Sequence, residues 1–103
     1  MTEQRLPSIS STESLVLDLL ESAERYGLEL VDASGGRLKR GSIYVTLGRM
    51  EAKGFVASRQ EDRAPGAIGL PRRLYRPTAY GIKVRDAYRL LRDALALKPA
   101  EAK

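Results

Sequence analysis

The sequence predicts a mainly α fold with one small two-stranded antiparallel hairpin, and three observations carry that expectation. Apolar residues recur at helical spacing along four stretches. The runs 55–60 and 73–77 read as strands on either side of a loop rich in Pro and Gly, and glycines mark the boundaries between elements. A chain of 103 residues suits one domain with a modest core. With five Tyr, one Phe and no Trp, most of that core must be Leu, Val and Ala.

In chain order, residues 1–10 contain Pro7 and little apolar periodicity, so they read as a flexible arm. Ser10 and Glu13 have the spacing of a capping box. Leu15, Val16, Leu19, Leu20 and Ala23 then share a helical face, which predicts a first helix over residues 11–25. Its carboxylates Glu13, Asp18, Glu21 and Glu24 read as a solvated face. After Tyr26 and Gly27, the apolar residues Leu28, Leu30 and Val31 predict a short second helix that stops at Ser34, Gly35 and Gly36. No GxxxxGK[ST] pattern surrounds those glycines, so they do not read as a phosphate-cradling loop.

The helix predicted over residues 41–53 organises the rest. Ile43, Leu47 and Met50 fall on its buried side, whereas Ser42, Val45, Thr46, Arg49 and Lys53 form an outward stripe of small, hydroxyl and cationic side chains. Such a stripe suits a DNA groove, because small residues let the helix approach base edges and arginine forks onto guanine or phosphate. Helix, turn and helix are followed by the hairpin, and a hairpin directly after a recognition helix is a wing. Arg63, Arg72 and Arg73 sit on or beside its tip. From Thr78 as N-cap, Tyr80, Val84, Ala87, Tyr88, Leu91, Ala94 and Leu95 predict a last helix to about Leu97. It is longer than a core of this size covers, so a second copy of the chain is expected on its apolar stripe. The expected division is a flexible arm 1–10, a winged helix-turn-helix 11–77, a dimerisation helix 78–97 and a flexible tail 98–103.

Charge sharpens the functional expectation. Residues 1–35 carry two basic and seven acidic side chains, a net of −5. Residues 36–103 carry sixteen basic and six acidic, a net of +10. That polarity favours a polyanion facing the second part of the chain. With no Cys and no His, disulfides, zinc fingers and Cys or His nucleophiles are excluded. The expectation is accordingly no enzyme, no metal and no cofactor. No run of about 18 apolar residues is present and the N-terminus lacks signal-peptide character, so a cytoplasmic protein with no membrane contact is expected.

Four motifs, YG at residues 26–27, GGRL at 35–38, GSIYVTLGRMEAKGFV at 41–56 and RRLYRPTAYG at 72–81, together resemble the PadR family of winged-helix transcriptional regulators. The resemblance covers most of the chain and matches the short form of the family, with a single C-terminal helix. It implies a dimeric repressor with the 41–53 helix in the major groove. It also implies that Tyr44 supports the recognition helix, while Tyr75 and Thr78 join wing to helix. The wing loop, with GAIGLP before its paired arginines, is long and apolar for the family, a departure that favours contact of Ile68 and Leu70 with a partner or a ligand in place of DNA.

The resulting expectation is a sequence-specific regulator on double-stranded DNA, a homodimer on a pseudo-palindromic operator. Lys39, Arg40, Arg63, Arg72 and Arg73 would hold phosphates; Ser42, Val45, Thr46 and Arg49 would read bases, beside Tyr44. Leu15, Leu19, Val84, Ala87, Tyr88, Leu91 and Leu95 would dimerise. A protein-interaction adaptor, or a regulator gated by a small-molecule effector in an apolar dimer pocket, stand as alternatives.

Overall fold

The computed structural model describes residues 6–96. Helix α1 (Ser11–Leu19) begins at the expected capping box: the Ser10 N–H donates to Glu13 Oε1 at 2.9 Å and the Glu13 N–H to Ser10 Oγ at 3.0 Å. It stops six residues earlier than its sequence suggests. The Arg25 guanidinium donates from Nε to the Leu19 carbonyl at 2.8 Å, satisfying a helix-end acceptor that further turns would otherwise have used.

Arg25 and Tyr26 thereby become β1 (Arg25–Tyr26), a strand too short to show any period. It pairs antiparallel with β3 (Arg73–Pro77), which also pairs with β2 (Val56–Gln60), so the hairpin is part of a three-stranded sheet of order β1-β3-β2. The expectation of two strands is corrected to three. The register sets Arg25 opposite Tyr75 on one side and Ser58 opposite Tyr75 on the other. β1 thus anchors the wing's return strand beside α2 (Gly27–Ala33).

Between α2 and α3 (Ile43–Ala52), Ser34 organises the turn. Its Oγ donates to the Val31 carbonyl at 2.7 Å and accepts the Leu38 N–H at 2.9 Å, while Gly35 and Gly36 take positive φ. Leu38 is thereby turned into the core. Gly54, at φ 83°, ends α3 and sends Phe55 and Val56 inward.

Helix α4 (Ala79–Ala96) starts where sequence places it. Thr78 Oγ1 accepts the Gly81 N–H at 2.9 Å and donates to the Gly54 carbonyl, so one side chain caps α4 and ties it to the end of α3. The core joins Val16 and Leu17 of α1 and Leu20 at its end with Leu30, Ile43, Leu47, Met50, Phe55 and Val84. Each such side chain contributes roughly 1.5–3 kcal/mol when fully buried.

Several ion pairs weld the acidic first part to the basic remainder. Arg89 on α4 meets Asp18 at 2.9 Å and Glu21 at 2.6 Å, and Arg59 meets Glu24 at 2.8 Å. The Arg89 guanidinium holds the Glu21 carboxyl below its ordinary range, through its hydrogen bond first and its charge second. These carboxylates are a docking face for α4 and the sheet. Glu13 departs furthest from the expected solvated row: it is 1% exposed and receives Lys53 Nζ at 2.9 Å. Lys53 also donates to the Ser8 carbonyl at 2.9 Å, so residue 8 of the expected flexible arm is fastened to the end of α3. Residues 1–5, Leu97 and the expected tail lie outside the described residues.

Candidate nucleic-acid interface

Helix α3 divides its side chains cleanly. Ile43, Leu47 and Met50 face the core as expected, and Tyr44, Val45, Gly48 and Arg49 face solvent, Val45 being 62% exposed. Thr46 corrects the expected reading set. It is 8% exposed, on the same side as Met50 four residues on, and its side chain is turned away from the outward stripe. Lys53 leaves that stripe as well, held by Glu13.

Ser42 is the N-cap of α3 and exposed, although its side chain makes no capping bond. Just before it, Arg37, Lys39 and Arg40 are exposed on the turn. Among the described residues, none of Arg37, Lys39, Arg40 or Arg49 takes part in a salt bridge. Uncompensated positive charge therefore gathers at the start and along the open face of α3. Sequence reasoning missed Gly48 and Arg37. Gly48 was legible, because it lies three residues after Val45 and four after Tyr44, on the same face.

Tyr44 is braced at this surface by the absence of a side chain beneath it. A Cβ added to Gly27 would fall 2.6 Å from Tyr44 Cε1 and 2.8 Å from Cζ, so the first residue of α2 must be glycine for the ring to lie there. The ring stays 53% exposed.

The wing arginines are more occupied than expected. Arg73 donates to Ser58 Oγ at 3.1 Å, across the hairpin. Arg72 stacks its guanidinium 4.7 Å from the centre of the Tyr26 ring, and its backbone N–H donates to Glu61 Oε1 at 3.2 Å. Glu61 in turn accepts the Tyr26 hydroxyl at 2.6 Å. That bond, followed by the Arg72 N–H, holds the Glu61 carboxyl below its ordinary range, and the same bond raises the Tyr26 hydroxyl. Arg63 donates to the carbonyls of Gly69, at 3.0 Å, and Ile68. These three cations shape the wing and still present positive charge at its surface.

A cavity of about 730 Å³ opens between α2, Tyr44 and the wing root, lined among others by Leu28, Asp32, Leu70, Arg73 and Tyr75. Among the described residues no group of three or more His, Cys, Asp or Glu is placed to hold a metal. No described helix is long and apolar enough to cross a membrane.

The model of the transcriptional regulator PadR-like family matches residues 16–87, from α1 through the wing into α4. The chain belongs to that family. Comparison with curated proteins finds no match. Among solved structures, a PadR family transcription regulator from Clostridium difficile R20291 shares 26% identity, with 80% of this chain and 91% of that one covered and a TM-score of 0.64. A PadR family transcriptional regulator from Eggerthella lenta DSM 2243 shares 27% identity over 80% of this chain and 71% of that one, with a TM-score of 0.67. Bacillus subtilis PadR, solved in complex with operator DNA, has the same fold at 19% identity and a TM-score of 0.67; 86% of this chain matches, spanning 49% of that one.

The expected dimerisation residues divide in two. Val84 is buried in its own chain's core, and Leu15 and Leu19 pack partly against that core. Ala87, Leu91 and Leu95, further along α4, are exposed, Tyr88 is half-buried, and Leu90 beside them is exposed as well. Leu90 was missing from the expected set, because it lies one step outside the stripe that begins at Tyr80.

Proposed function

We propose that this PadR-like regulator is a cytoplasmic homodimer that represses transcription by binding a pseudo-palindromic operator in double-stranded DNA. The observation that carries the reading is the open face of α3: small side chains and a glycine beside Arg49, with Lys39 and Arg40 at its start and no carboxylate neutralising them. In this reading Ser42, Val45 and Arg49 meet base edges, and Tyr44 meets the backbone beside them. Lys39 and Arg40 hold phosphates on one side of the helix, and Arg72 and Arg73 hold them on the wing side. Dimerisation rests on Leu91 and Leu95, with Leu90 added, whose uncovered surface a second α4 would bury. Repression follows if the bound dimer blocks polymerase.

Selection from a random duplex library, with sequencing of the bound fraction, tests this. Enrichment of an inverted repeat with half-sites about one helical turn apart supports the dimeric reader. Salt-sensitive binding without enrichment would reduce it to a non-specific binder, and no binding would favour the adaptor reading.

A further inference from the structure

The wing tip has a structure that phosphate binding does not need. Ile68 is 93% exposed and Leu70 is 88% exposed, two aliphatic side chains at the end of a basic hairpin. They are not on a loose loop. Arg63 gathers the Ile68 and Gly69 carbonyls, and the Ala67 N–H donates to the Ala64 carbonyl at 3.1 Å. The root is closed by the Glu61 N–H donating to the Arg72 carbonyl at 2.8 Å, and Glu61 is fastened to Tyr26 on β1. Gly66 and Gly69, at φ 85° and 90°, supply the turns that bring Arg63 under the loop. The backbone is thus bonded inward, Ile68 stands out at the tip, and Leu70, equally exposed, borders the cavity beside Tyr26 and Leu28.

We propose that Ile68 and Leu70 form an apolar wedge that enters the DNA minor groove beside the α3 site and partly unstacks a base step, bending the duplex. Charge complementarity selects this occupant. Arg63 sits behind the wedge, Arg72 and Arg73 flank its root, and no carboxylate lies between Arg63 and Arg72, Glu61 and Asp62 coming just before Arg63. An aliphatic tip backed by cations matches a groove whose floor is apolar base edges and whose walls are phosphates. Side chains of this type, inserted at a step, kink DNA by tens of degrees. Flexible pyrimidine–purine steps, TA above all, cost least to open, so the wedge adds sequence preference outside the bases that α3 touches.

The inference rests on the DNA-binding reading, and the test separates the two. The probe is a 40-base-pair duplex carrying the inverted repeat enriched in the selection, or a random-sequence duplex of that length if none is enriched. 2-Aminopurine is placed at successive positions beside the half-site, and binding is followed separately by anisotropy. Wild type is expected to raise 2-aminopurine fluorescence several-fold at one step in each half-site. The Ile68→Ala/Leu70→Ala double variant, altered only at exposed positions, is expected to bind with the same salt dependence and give no rise. Ile68→Phe in the Leu70→Ala background should restore it. Tight wild-type binding with flat fluorescence at every position would overturn the wedge and leave the function standing. A rise undiminished in the double variant would overturn it too. Absence of binding would remove both, and loss of a concentration-dependent self-association in the double variant would assign the tip to a second copy instead.

Discussion

Tyr44 lies across Gly27 at a distance that leaves no room for a methyl group: a Cβ there would stand 2.6 Å from the ring. The contact joins the start of α2 to the start of α3, and it fixes the one aromatic ring on the proposed DNA face. Gly27→Ala should push the ring outward. Because that ring is more than half exposed it can yield, so the stability loss is expected to be about 1 kcal/mol. DNA affinity should fall further than stability does. Equal affinity for the two proteins would remove Tyr44 from the interface.

Gly81 presents the opposite case. A Cβ there would lie 2.0 Å from the Phe55 carbonyl oxygen, and backbone on both sides cannot swing away. Gly81→Ala should cost roughly 3 kcal/mol, at the upper end for overpacking, read as a lower urea midpoint. A midpoint equal to wild type would mean that α4 does not approach the Phe55 backbone as closely as described.

Gly48 is an exposed glycine inside a helix, with nothing within 4 Å of an added Cβ. In the free protein Gly48→Ala should therefore stabilise α3, by up to about 1 kcal/mol. On the DNA-binding reading the added methyl stands between helix and groove, so the same variant should bind its operator less tightly. Arg49→Ala, one residue on, should lose about 1–3 kcal/mol of specific binding and relax sequence preference. A Gly48→Ala protein that is both more stable and equally tight would show that this face stays clear of DNA.

The join between α1 and α4 should weaken in acid. Hydrogen bonding and charge from Arg89 depress the Glu21 carboxyl below its ordinary value of 4.5. A depressed folded value stabilises the protein in full above 4.5 and loses that contribution as pH falls through the lower, folded value. Denaturation midpoints measured from roughly pH 6 down to pH 3 should fall less steeply for Glu21→Gln than for wild type. Parallel curves would mean that the pair is solvent-separated.

Much of this architecture was legible in local signals. The Ser10 and Glu13 spacing, the Thr78 cap and the inward row Ile43, Leu47 and Met50 each depend on residues within two turns of one another, and each occurs as expected. β1 was not legible, because two residues carry no period and its existence depends on β3, almost fifty positions later. The same limit hid the roles of charges. Lys53 looks like an outward cation until Glu13, forty residues away, captures it, and nothing in the sequence shows that Arg63 also gathers the Ile68 and Gly69 carbonyls of the loop. Thr46 was misplaced for a different reason: a short polar side chain at a helical boundary position fits either face, and packing decides.

The most direct test of the central claim is the salt dependence of binding to a random-sequence duplex, followed by anisotropy for wild type and for a Lys39→Ala/Arg40→Ala variant. Each phosphate neutralised contributes about −0.9 to the slope of log K against log salt. The expected result is a steep wild-type slope that becomes shallower by nearly two units in the variant. A slope near zero, or one that the two substitutions leave unchanged, would contradict the assignment of this face to DNA.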